Sequence, residues 1–147
     1  MNYIFSAIFL YFFLGFLLYI FQRRIVFNKS GHPGAPKDYN LANTEEVYVK
    51  TEDNLKLLSW YHKGNNLLPL IVYFHGNSFH IGDRAYRVQR YIEKNWSVLL
   101  VSWRGFGGNK GNPTEKNLYK DAEAVLKWIK NNTEFKSVSY THLRAHE

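Results

Sequence analysis

Residues 72–83 read VYFHGNSFHIGD. An apolar run ends in His-Gly-Asn, and Ser78 stands between His75 and His80 with Asp83 close behind. The run begins earlier, as LPLIVYF over residues 68–74, and has no polar alternation. That is the pattern of a strand covered on both faces. Ile81, Ala85, Val88 and Ile92 follow at helical spacing. A buried strand that passes through a short polar loop into a helix is the repeating unit of an α/β sheet.

The flanking sequence extends the pattern. EVYVKT, residues 46–51, alternates apolar and polar positions and predicts a strand. LKLLSWYH, residues 55–62, predicts its antiparallel partner across the polar turn Glu52-Asp53-Asn54. SVLLVSW, residues 97–103, predicts a second buried strand, followed by the Gly-rich loop of residues 105–111. Leu118, Ala122, Val125 and Ile129 predict another helix, with Thr114 as its N-cap. The fold class is therefore α/β, a mostly parallel sheet with flanking helices. In such sheets the chemistry gathers at the carboxyl ends of the strands. Both residues 75–78 and residues 104–107 fall there.

Ser78, a neighbouring His and Asp83 invite reading as a nucleophile, base and acid. The spacing argues against it. A nucleophile on a strained strand-to-helix turn has small residues at minus two and plus two. Ser78 has Gly76 before it but His80 after it. Triad partners also come from distant segments, because adjacent side chains rarely converge on one atom. Asp83 reads instead as an acid in the first turn of a helix, and His75 as a histidine that fixes its loop through backbone hydrogen bonds.

The chain has 147 residues, of which 11 are Phe, 11 Tyr and 4 Trp, and it lacks Cys. Disulfides, thiolate nucleophiles and Cys-based zinc sites are thereby excluded. The net charge of +7 is spread along the chain after residue 22 and accompanies no nucleic-acid motif, so no nucleic-acid partner is expected. The six His show no metal-ligand spacing, and neither metal nor cofactor is expected.

Residues 3–21, YIFSAIFLYFFLGFLLYIF, carry no charge and are followed by Gln22, Arg23 and Arg24. As a helix this run is roughly 28 Å long, near the thickness of a bilayer core. Basic residues follow the run rather than precede it, which favours an uncleaved anchor over a signal peptide. The Arg pair places the following domain in the cytoplasm by the positive-inside rule. The expected localisation is thus a single-pass membrane protein with the lipid bilayer as partner. Residues 22–43, rich in Pro and Gly, are expected to form an irregular connector.

The His75-Gly76-Asn77 stretch after a buried strand resembles the oxyanion-hole loop of α/β hydrolases, where a backbone N–H past the His-Gly pair holds the negative oxygen of the tetrahedral intermediate. The chain is similar, over residues 20–136, to membrane-anchored α/β hydrolases of the serine aminopeptidase-like and lysophospholipase-like branch. VSWRGFGGNKG resembles that family's D-Y-R-G-x-G stretch, and NLYKDAEAVLKWI its helix before the nucleophile strand. The resemblance implies that Asn77, with Ser78 second, supplies the oxyanion N–H. It implies loop-shaping roles for His75, Gly76, Arg104, Gly105 and Gly107, and a small lipid-like ester or peptide as substrate. Phe79 and His80 depart from the family's H-G-N-x-G-N-I, and Ser102 and Trp103 stand where Asp and Tyr are common.

The family's next strand leads into G-x-S-x-G, which is absent here. Residues 138–147, VSYTHLRAHE, match the conceptual translation of a transposase adapter used in sequencing libraries. Such segments lie outside fold reasoning. The expected organisation is an anchor at 3–21, a connector at 22–43, a partial hydrolase domain at 44–136 and a non-native tail at 138–147. The chain is then the N-terminal part of a serine hydrolase, inactive alone because nucleophile, acid and base are missing. Two rival readings remain. One is a truncated, membrane-anchored binding module without catalysis. The other is a nucleotide-binding domain using Gly105 to Gly111, whose spacing is G-x-G-G-x-x-G.

Overall fold

Among the described residues strand β6 (Ser97–Val101) is the most buried element, with all five residues inside. Alternate side chains enter two different cores. Val98 and Leu100 join Leu41, Leu58, Trp60, Ile81, Ala85 and Val88 on one face. Leu99 and Val101 join Val49, Leu57, Ala124, Val125 and Ile129 on the other. This two-sided burial is why the strand has no polar alternation, since each Val or Leu removed from water contributes about 1.5–3 kcal/mol on whichever face it lies.

The computed structural model describes residues 2–29 and 31–135. In chain order the elements are α1 (Asn2–Val26), β1 (Asn28–Lys29), a 3-10 turn (Pro36–Tyr39), β2 (Thr44–Lys50), β3 (Lys56–His62), β4 (Leu70–Phe74), β5 (Ser78–Phe79), a 3-10 turn (Ile81–Arg84), α2 (Ala85–Glu93), β6 and α3 (Glu115–Asn132). The main sheet has the order β2-β3-β6-β4. β2 and β3 are antiparallel, from Thr44 opposite His62 to Lys50 opposite Lys56. β3 meets β6 antiparallel, and β6 meets β4 in parallel, with Leu70 opposite Ser97 and Phe74 opposite Val101. Side chains of α2 pack on one face and those of α3 on the other. Among the described residues β4 has a neighbour on one side only, and all five of its residues are half-buried.

Thr114 caps α3 as its spacing predicts, its hydroxyl accepting from the Asn117 N–H at 3.3 Å. Three expectations differ in detail. β4 starts at Leu70 because Pro69 lacks the ladder N–H. The helical spacing from Ile81 begins as a tight 3-10 turn and becomes α-helical only at Ala85. α1 does not stop at Gln22-Arg23-Arg24 but continues to Val26. Charge ends the apolar span, Tyr3–Gln22, yet Arg is a good helix former and does not end the helix.

The connector is more ordered than its Pro and Gly content suggests. Tyr39 lies 5.4 Å from the Trp60 ring, and its hydroxyl donates to Pro33 O at 2.6 Å. Leu41 is buried in the α2-side core. Gly82 passes beneath the Tyr39 ring so closely that a Cβ there would overlap it. The segment proposed as adapter-encoded, residues 138–147, lies outside the described residues.

Candidate active site

Two loops meet at the carboxyl end of the parallel pair. One leaves β4 at His75; the other leaves β6 at Ser102 and runs to Pro113. Aromatic stacking joins them at their roots, Phe74 on Trp103 with ring centres 4.5 Å apart and planes within 17°. Two hydrogen bonds then cross between the loops. The Trp103 N–H donates to His75 Nε2 at 3.3 Å, and the Trp103 indole N–H donates to His75 O at 2.8 Å. His75 is 3% exposed. Burial pushes its imidazole down to about 4, against a weaker upward pull from the Gly76 backbone. The ring is neutral at pH 7, so with Nε2 accepting, the proton sits on Nδ1.

The Asn77 N–H has no acceptor among the described residues. Ser78 lies in β5 and is paired with Asn28. A Cβ added to Gly76 would meet nothing within 4 Å of the described residues, and its φ is not left-handed. The space over Gly76 is therefore open among the described residues.

Ser78, His80 and Asp83 do not assemble into a catalytic relay. The Ser78 hydroxyl lies 3.5 Å from Asn77 Oδ1. His80 and Asp83 close a reciprocal cap on the turn before α2: the His80 N–H donates to Asp83 Oδ2 at 3.2 Å, and the Asp83 N–H donates to His80 Nδ1 at 3.3 Å.

The second loop is held by a buried ion cluster. Arg104 is 2% exposed and Asp121, on α3, is fully buried. The guanidinium donates to Asp121 Oδ1 through Nη2 (2.6 Å) and Nε (2.8 Å), and the Arg104 backbone N–H donates to Oδ2 at 3.2 Å. Nη1 donates to Asp53 Oδ2 at 2.7 Å, in the turn between β2 and β3. Hydrogen bonds from Arg104 and then from the Thr51 hydroxyl hold the Asp53 carboxyl well below the usual range, and Asp121 raises Arg104 above its own. Gly105 and Gly107 turn this loop at φ +79° and +56°. At Gly107 a side chain would strike the Ser102 hydroxyl.

Two residues of this arrangement escaped the sequence reading. Asp121 lies on the apolar face of α3, and an acid in that stripe was the available signal. Asn109 caps the ladder where β6 leaves β3: its Oδ1 accepts from the Leu58 N–H at 2.9 Å, and its Nδ2 donates to Ser102 O and Trp103 O. The Asn109 carbonyl also accepts from the Gly105 N–H at 3.1 Å, closing the Gly-rich loop on itself. α3 starts only at Glu115, after Pro113, so the glycines do not run directly into a helix N-terminus as a dinucleotide loop requires. A groove of about 740 Å³ lies elsewhere, lined by Tyr48, Lys50, Glu123, Lys127 and Trp128 among others, with no residue from either loop.

No protein-family model matches the chain. Among curated proteins it is 30% identical over 128 residues to the α/β hydrolase domain-containing protein WAV2 of Arabidopsis thaliana, covering 80% of this chain and 41% of that protein. It is 27% identical over 119 residues to the lysophosphatidylserine lipase ABHD12 of Danio rerio, covering 65% of this chain and 30% of that protein. Among solved structures it matches the Pyrococcus furiosus esterase PF2001 with a TM-score of 0.58 and 26% identity, over 73% of this chain and 42% of the esterase. The chain spans about two fifths of the length of curated relatives it matches. By sequence and by fold the chain is a relative of the α/β-hydrolase proteins, and its described sheet is part of their architecture.

Proposed function

We propose that the chain is the N-terminal part of a membrane-anchored serine hydrolase that cleaves ester or amide bonds through an acyl-enzyme. The observation that carries this reading is the Asn77 N–H, which has no acceptor among the described residues, on a loop that leaves β4 beside the β6 loop, in a sheet shared with an esterase. In such a reaction the carbonyl oxygen becomes an oxyanion as the nucleophile attacks, and a preorganised N–H in a dry site stabilises it. Asn77 fills that role, with Ser78 as the second candidate. His75, neutral and bonded through both its ring and its carbonyl to Trp103, holds the loop in place. Arg104, Gly105 and Gly107 shape the facing loop. The nucleophile, acid and base belong to sequence beyond residue 136, so the 147-residue chain alone has no route to a covalent intermediate.

α1 serves as the anchor in this reading, with the domain on the cytoplasmic side. The relation to a lysophosphatidylserine lipase and to an esterase favours a lipid-like ester as substrate. A fluorophosphonate probe tests the proposal. The full-length gene product labels at one serine beyond residue 136, and the 147-residue chain does not label. Stoichiometric labelling of Ser78, or no labelling of the full-length protein, contradicts it.

A further inference from the structure

The segment that leaves α1 folds back over the candidate site. β1 pairs in parallel with β5, Asn28 with Ser78 and Lys29 with Phe79. Phe27 meets the Phe106 ring edge-on at 6.1 Å, and Phe106 meets His75 edge-on at 5.1 Å. A side chain on Gly108 would contact His32, and one on Gly107 would contact Pro33. The first residues past the apolar helix therefore cover the end of the sheet that carries both loops.

Phe79 is the residue of this region that folding alone explains least. Its φ is +66°, an outlier for a bulky side chain. The residue is 50% exposed. Exposed aromatic residues scattered singly need no explanation. This one is held in a strained conformation and paired to Lys29, three residues from the end of α1. Three residues span at most about 10 Å, and neighbouring strands lie about 4.8 Å apart, so the Phe79 backbone is within about 15 Å of the helix end. A helix of 25 residues is about 38 Å long. It exceeds a hydrocarbon core of about 30 Å by roughly the depth of one headgroup layer. The apolar span ends at Gln22, so the chain returns within reach of the headgroup layer, with Arg24 and Lys29 flanking the exit in sequence, as suits anionic headgroups.

We propose that Phe79 docks the loop of residues 75–80 onto the headgroup layer of the bilayer that α1 crosses, so that the mouth of the site opens to the membrane surface and receives acyl-chain substrates from the lipid phase. This rests on the membrane-anchored reading above. It adds a membrane contact made by the soluble domain itself.

The chain lacks Cys, so a single introduced Cys reports one place. Nitroxide labels on Phe79→Cys, Leu14→Cys and Tyr119→Cys, each in the full chain, are placed in vesicles of phosphatidylcholine and phosphatidylserine. Collision with oxygen is compared with collision with a water-soluble nickel chelate. The expected result is an oxygen-to-nickel ratio several-fold higher at positions 79 and 14 than at 119, which is exposed on α3. A label at 79 that behaves like the one at 119, while 14 reports lipid, overturns the docking and leaves the anchor standing. A label at 14 that reports water overturns the anchor and the docking together. The unaltered chain supplies a second reading: in nanodiscs with a nitroxide on the lipid headgroup, the Phe79 amide signal broadens and the Tyr119 signal does not. Equal broadening, or none at Phe79, overturns the proposal without any substitution.

Discussion

Arg104 and Asp121 form a buried ion pair at 2.6 Å, 17 residues apart in sequence. It ties the loop after β6 to α3, and Asp53 extends it to the turn between β2 and β3. Removing one member of a buried pair leaves the other charge uncompensated, at a cost of about 3–5 kcal/mol. Asp121→Ala leaves Arg104 with Asp53 as its remaining carboxylate partner, so it is expected to destabilise the full chain by about 3 kcal/mol, the low end of that range, read from denaturant midpoints in nanodiscs. Arg104→Lys is expected to lose much of the same stability, because an ammonium cannot donate to both carboxylates in this planar arrangement. A loss below 1 kcal/mol for Asp121→Ala would show that the cluster does not hold the loop.

Phe79 gives a prediction that separates strain from contact. At φ +66° a residue with a Cβ pays about 1–2 kcal/mol that Gly does not. Phe79→Gly and Phe79→Ala both remove the ring, but only Gly relieves the backbone. In detergent, where no bilayer contributes, the Gly variant is expected to be more stable than the Ala variant by about 1 kcal/mol. Equal stabilities would mean that the loop relaxes out of the left-handed conformation.

His75 sets a pH dependence. Its folded pKa, about 4, lies below the ordinary value of 6.5 because burial penalises the charged ring, with Arg84 and His80 pushing the same way. Between those values the unfolded chain binds the proton and the folded chain does not, so stability is full above pH 6.5 and falls as the pH drops toward 4. The whole effect is about 3 kcal/mol. Asp53 acts lower down: its depressed carboxyl contributes stability above the unfolded pKa near 3.9, and that contribution is lost as the pH falls further. Unfolding of the full chain at pH 7.5, 5.5 and 4.5 checks the first claim. His75→Gln is expected to flatten the slope over this range, and an unchanged slope would contradict it.

The outer side of β4 is the fourth test. Among the described residues β4 is half-buried and apolar with no neighbour on one side, and such a strand is a template for pairing with another chain. Residues 25–147, without the apolar span of α1, are expected to aggregate in water, and Val72→Lys to slow it. Light scattering follows both. A sharp, monomeric, cooperative melt of residues 25–147 would contradict the expectation.

The strands β4 and β6 were legible because burial on both faces leaves an unbroken apolar run. α3 was legible because its apolar stripe and Thr114 agree. The β1–β5 pairing was hidden, since two residues per strand carry no periodicity and the partners are 50 positions apart. Asn109 was hidden for a related reason: an amide that stands in for a ladder partner has no signature beyond being an Asn among glycines. The Phe79 departure was visible as Phe where the resembled family has Gly. Only its φ shows that the position itself demands a left-handed backbone.

The central claim is that this chain carries the oxyanion side of a serine hydrolase whose nucleophile follows residue 136. The most direct test is the source DNA, amplified outward from the codons for residues 117–130 and read through the junction after Lys136. The account predicts that the frame continues into an apolar strand and G-x-S-x-G. A frame that ends in SYTHLRAHE in the source DNA would contradict it, leaving a membrane-anchored half-sheet without a nucleophile.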